Sequence, residues 1–116
     1  MGKGREDVRE LIEHEKEKRG GCVRCPAKPN EYWGWEAFDW DHVFGEKLFN
    51  VAEAVYESSK FGFRAHEVQQ KVLDEIDKCQ LLCANCHRTV SRERIRTRQR
   101  EAEERWHVFV TRWVAA

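Results

Sequence analysis

The chain has 116 residues, 36% of them charged, which is enough for one domain with a modest core that a bound metal would help to hold together. Its apolar runs are far too short for a membrane-spanning helix, and no internal repeat is evident. The 21 basic and 21 acidic residues balance, so the total charge singles out no partner.

The distribution of charge says more than the total. From Cys83 onward there are eight Arg and four Glu and no Asp or Lys, whereas Cys22 to Leu82 carries seven basic and eleven acidic residues. A basic C-terminal third fits a surface for a polyanion; the alternative is a solvated helix face laced by Glu–Arg pairs. The first residues, Met-Gly-Lys-Gly-Arg-Glu-Asp, contain no apolar stretch, so the expectation is no signal peptide and a cytoplasmic location. In a reducing compartment, cysteines spaced Cys-x2-Cys read as metal ligands rather than disulfides.

Residues from about Arg5 to Arg19 are predicted to form a helix that lays Val8, Leu11 and Ile12 on the core, ended by Gly20-Gly21. Cys22-x2-Cys25 then reads as a zinc knuckle, and Ala27 to Gly34, with Pro29 and Asn30, as a loop. Glu36 to Phe44 alternates, with Phe38, Trp40 and His42 on one side, and predicts a strand. Strict alternation would part Asp41 from His42, so the strand is expected to end or bulge there. A short helix over Lys47 to Ser58, a turn over Ser58 to Phe63 and a clearer helix from about Ala65 to Asp77 follow, the last burying Val68, Val72, Leu73 and Ile76. Cys79-Gln80-Leu81-Leu82 is a short apolar strand leading to a second knuckle, Cys83-x2-Cys86, with Cys79 left as a buried thiol. From about Asn85 a long helix is predicted, because no Gly or Pro interrupts the rest of the chain. Its apolar end, Trp106 to Val114, is expected to pack back on the domain or on a second copy, making a homodimer. His14 and His66 read as surface residues, and His107 as a core or interface one.

Two candidate sites emerge. Tetrahedral zinc takes four thiolates, and Cys22, Cys25, Cys83 and Cys86 supply them in two tight turns separated by 57 residues. Closing so long a loop is entropically tolerable, because the penalty grows only logarithmically with length; the alternatives are two unrelated knuckles or free buried thiols. Asp41-His42 places a hard oxygen ligand for Mg²⁺ or Mn²⁺ beside a general base, the pairing that phosphodiester hydrolysis needs. His87, next to Cys86 in the first turn of the long helix, is the candidate to complete that second metal site.

Cys22-x2-Cys25, then Phe38-Asp39-Trp40-Asp41-His42-Val43, then Glu75 through Arg88 together resemble the HNH endonucleases, closest to the small zinc-knuckle members of bacteria and their phages. The resemblance covers about residues 22 to 91. It implies an α+β fold with a ββα-metal (His-Me finger) core between two knuckles, flanked here by helices, that cuts DNA with one divalent ion in a bacterial or phage-infected cell. By position, His42 corresponds to the general base, and Asp41 and His87 to the metal ligands. Two positions depart from the family pattern: Lys78 stands where many members have the middle Asn, and Ser91 where many have a further His. Arg88, Arg92, Arg96 and Arg100 recur on one helix face and are expected to bind DNA phosphates without reading sequence, with Lys47 and Lys60 as further contacts. The expected function is a low-specificity or nicking HNH endonuclease. The alternatives are a non-catalytic zinc-bound DNA- or protein-binding module, and a nuclease subunit working with phage DNA-packaging proteins.

Overall fold

The computed structural model describes residues 2–54 and 65–115. Its first helix, α1 (Gly2–Arg19), buries Val8 and Ile12 and half-buries Leu11, three residues that share one face at helical spacing. It stops where Gly20 turns to a φ of 85°, a left-handed conformation that glycine adopts without strain, and the Gly20 amide donates to the carbonyls of Lys16 and Glu17, each at 3.1 Å. Two cations near that end tie the helix down. Lys16 Nζ donates to the carbonyls of Trp35 at 3.0 Å and Phe38 at 2.7 Å. Burial pulls the Lys16 pKa below its ordinary value, against the opposing pull of Asp39, Glu13 and Glu36. Arg19 lies over the Trp40 ring, 5.3 Å from its centroid, and donates to the Cys79 carbonyl at 3.3 Å. His14 is exposed, as expected.

Strands β1 (Phe38–His42) and β2 (Cys79–Cys83) form an antiparallel pair in the register Phe38 with Cys83 through His42 with Cys79. The strand is shorter than the alternation predicts, for reasons visible at each end. Trp35–Ala37 is wound into a 3₁₀ turn. Beyond His42, the Val43 amide makes one more bond in the same register, to the Lys78 carbonyl at 2.9 Å, and the Phe44 amide shares that carbonyl at 3.4 Å, so the pairing goes no further. The strand therefore ends at His42 with no bulge among its paired residues.

Of the helix expected over Lys47 to Ser58, the described residues show a 3₁₀ turn, Val51–Glu53, running into a helical Ala54. Phe49, Val51 and Ala54 are all buried. Val51 and Ala54, three residues apart, lie in the turn itself, and Phe49 enters the core just ahead of it. The remainder of that expectation, the turn over Ser58 to Phe63 and Lys60 fall outside the described residues, as does the side chain of His66.

Helix α2 (Ala65–Ile76) inserts Val68, Val72 and Ile76 between α1 and β2, completing a core with Val8, Ile12, Phe49, Val51, Ala54 and Cys79. Glu75 shares the buried face, at 1% exposure. Cys79 is buried as predicted, its thiol donating to the Glu75 carbonyl at 3.3 Å and pushed up to about 12 chiefly by burial. Helix α3 (Ala84–Ala115) begins directly after β2.

The chain divides into two units, Met1–Cys86 and His87–Ala116. The second is the continuous helix carrying the arginine series. In the single chain Trp106, Phe109, Trp113 and Val114 of its apolar end are exposed, Trp113 at 76%, and His107 is exposed with them. Trp106 and Phe109, three residues apart, stack on each other with centroids 5.7 Å apart. No helix among the described residues is long and apolar enough to cross a membrane.

Candidate functional site

Four sulfurs converge at one end of the strand pair. Gly21 lies against the backbone of the first knuckle, where an added Cβ would come within 2.7 Å of the Ala27 carbonyl oxygen. The Cys22 amide donates to that same oxygen at 3.1 Å and closes the turn that holds Cys22 and Cys25. The Val23 amide donates to the Leu81 carbonyl at 2.9 Å, fastening the knuckle to β2. Cys83 ends β2 and Cys86 lies in the first turn of α3, its amide donating to Cys83 Sγ at 3.4 Å.

The ligand atoms of Cys22, Cys25, Cys83 and Cys86 all lie within 4.8 Å of one another, and the Sγ atoms of Cys25 and Cys83 are 3.7 Å apart. A tetrahedron with metal–sulfur bonds of about 2.3 Å has an edge of about 3.8 Å, so this spacing fits a single ion. The electrostatics point the same way. Burial raises the Cys22 thiol, but the surrounding backbone amides and Cys25 overcome it and hold Cys22 down at about 6. Cys86 is pushed up to about 12, first by burial and then by the Cys25, Cys83 and Cys22 sulfurs. Thiols this close resist sharing negative charge, and a divalent cation relieves that conflict. The four cysteines could hold a metal such as zinc; no other cluster of this kind is found among the described residues.

The opposite end of the strand pair carries the second set of polar groups. Asp41 faces Gln80 across the ladder and its Oδ2 accepts a hydrogen bond from Gln80 Nε2 at 2.9 Å. It is only 3% exposed. The neighbouring side chain leaves by the other face, as unbroken strand geometry requires. His42 Nε2 lies 2.8 Å from Oε2 of Glu75. The unbulged ladder thus gives the two residues different partners.

Glu75 is the hub of this end. Its Oε2 also accepts from the Leu48 amide at 3.0 Å, and its Oε1 accepts from Lys78 Nζ at 2.9 Å. Burial raises the Glu75 pKa, but the donors from Lys78, Leu48 and His42 outweigh it and leave the carboxyl below its ordinary value. Lys78 grips the following loop at both ends: its carbonyl receives the Val43 and Phe44 amides, and its ammonium donates to the Glu46 carbonyl at 2.7 Å. Gly45, at a φ of 74°, makes the turn over the Lys78 side chain.

His87 is partly buried at the start of the second unit. Arg88, Arg92, Arg96 and Arg100 are all exposed on α3, spaced four residues apart along one helix. Glu75, which opens the stretch that carries the resemblance, has no role of its own in the sequence reading. Its signal was an acid three residues after Val72 and seven after Val68, on the apolar stripe of α2.

Fold and site together define a small α+β protein: among the described residues, a two-stranded antiparallel sheet, three α-helices and a four-cysteine cluster that could hold a metal. No family model, no curated protein and no solved structure matches the chain.

Proposed function

We propose that this protein is a metal-dependent DNA endonuclease of the HNH type, with structural zinc on Cys22, Cys25, Cys83 and Cys86. The observation that carries the reading is His42, at the last paired position of β1, with its ring fixed by a buried carboxylate beside a strand that leads into the second cysteine pair. A general base needs such fixing, because proton transfer demands that one nitrogen be presented to water in a set direction.

In this reading His42 takes a proton from water as the water oxygen attacks phosphorus; the phosphorus–oxygen bond to the leaving group breaks, and the leaving oxygen takes up a proton. The ligand roles of Asp41 and His87 rest on the sequence resemblance. A divalent Mg²⁺ or Mn²⁺ bound there would stabilise the charge on the phosphorane and the leaving oxygen. Arg88, Arg92, Arg96 and Arg100 hold the phosphate backbone through guanidinium forks, an affinity that ignores sequence and falls with salt.

A second reading, a zinc-bound DNA- or protein-binding module without catalysis, is favoured by one observation: Asp41 is nearly inaccessible and already engaged by Gln80. Supercoiled-plasmid nicking in Mg²⁺ and in Mn²⁺ separates the two. The endonuclease reading expects wild type to nick and His42→Ala to lose about 100-fold or more while keeping its cysteine-bound metal. Equal nicking by His42→Ala would remove His42 as the base, and no nicking by wild type in either ion would favour the binding module.

A further inference from the structure

We infer that Glu75 is the positioning residue of His42: its carboxylate takes the Nε2–H of the ring, fixing the tautomer in which Nδ1 carries the lone pair, while Lys78 holds the carboxylate in place. The role of that lone pair rests on the endonuclease reading; the tautomer itself does not.

Donors and acceptors decide the tautomer. An ionised carboxylate only accepts hydrogen bonds. Glu75 already receives the Leu48 amide and the Lys78 ammonium, so a lone pair on His42 Nε2 set 2.8 Å from Oε2 would face oxygen lone pairs. The ring nitrogen at that position must therefore bear hydrogen, and in a neutral imidazole the basic nitrogen is then Nδ1. Buried at 1% exposure, the carboxylate needs a counter-charge to persist, and Lys78 provides it from three residues further along the chain.

Lys78 occupies the position where many HNH proteins have an asparagine, and in this chain it does more than one job. Its carbonyl holds the two amides that follow His42, and its ammonium bridges Glu75 to the Glu46 carbonyl. The loop after the candidate base is thus clamped from one residue, and the carboxylate that orients the ring is clamped by the same residue. A lysine here keeps the loop in place and adds the charge that a buried Glu75 requires.

The test uses the full chain with its cysteine cluster metal-loaded. Ring ¹⁵N spectra at mildly alkaline pH, assigned by comparison with His42→Gln, report which nitrogen of His42 is protonated. The expected wild-type result is a protonated Nε2 and an unprotonated Nδ1. In Glu75→Gln the amide can donate as well as accept, so the tautomer preference should vanish or invert. Plasmid nicking by that variant should fall about 10-fold or more in kcat with KM for DNA within about twofold, because the ring is misdirected while the DNA contacts remain. Glu75→Asp should restore the tautomer in part.

A wild-type His42 protonated on Nδ1 would overturn the inference, as would a Glu75→Gln protein with unchanged tautomer and rate. Should Glu75→Gln fail to fold, the wild-type spectrum is sufficient by itself. Absence of nicking by wild type would sink the endonuclease reading and leave the spectrum to decide whether Glu75 orients the ring.

Discussion

Breaking the cysteine cluster tests the most directly visible feature of the structure, and the size of the effect can be worked out. Cys25 and Cys83 lie 58 positions apart in the chain, with their sulfurs 3.7 Å apart in the fold. A cross-link that closes a loop of this length removes chain entropy from the unfolded state worth about 4 kcal/mol on the disulfide formula, taken here as a guide for a metal bridge. Ordinary domains retain roughly 0.05–0.15 kcal/mol per residue, so a unit of this size would have about 4–13 kcal/mol in total. Loss of the bridge therefore removes between a third and all of the stability. For a domain this small each kcal/mol moves Tm by about 4–8 °C, so Cys25→Ser or chelation should lower Tm by about 15 °C or more, or leave no cooperative transition. The assay is thermal unfolding by circular dichroism, with metal content measured on the same samples. A Cys25→Ser protein melting within about 5 °C of wild type would refute the reasoning. So would wild type that binds no metal in a one-to-one ratio.

Leu82 is fully buried in β2, and Leu82→Ala should cost about 2–5 kcal/mol by urea unfolding; a loss well under 1 kcal/mol would mean that this strand is not core. Glu75 has its carboxyl held below the ordinary 4.5, so the stability it contributes is complete above that value and is lost as pH falls through the depressed one. Glu75→Gln should accordingly flatten the acid limb of a stability–pH profile, and an unchanged limb would contradict the ion pair with Lys78. Replacing Arg92, Arg96 and Arg100 together by Ala should weaken binding to any duplex and reduce the slope of log K against log salt by about 2–3, measured by fluorescence anisotropy. An unchanged slope would remove those arginines from the DNA contact.

Features set by local chemistry were legible in the chain. The Cys-x2-Cys spacing announced two sulfur-bearing turns, Gly20-Gly21 marked the end of α1, and the apolar spacing of Val68, Val72 and Ile76 gave α2. What was not legible depended on groups distant in sequence. The end of β1 is fixed by the Lys78 carbonyl, far along the chain, and the partner of His42 sits 33 residues away. Glu75 gains a role only when its place on the apolar stripe is weighed against its charge. The apolar residues of the tail are exposed along α3 in the single chain, and a second copy, one of the two partners expected for them, is a matter of assembly that one chain's sequence does not encode locally.

The register of the strand pair sets a separation. Phe38 is paired with Cys83, next to the sulfurs, and His42 is paired with Cys79 four rungs away. At about 3.3 Å per residue the two ends lie about 13 Å apart. Beyond roughly 10 Å, substitutions without shared partners combine almost independently. The strand pair therefore acts as a spacer: a substitution beside the sulfurs that leaves their bridge intact should combine almost additively with one at the His42 ring.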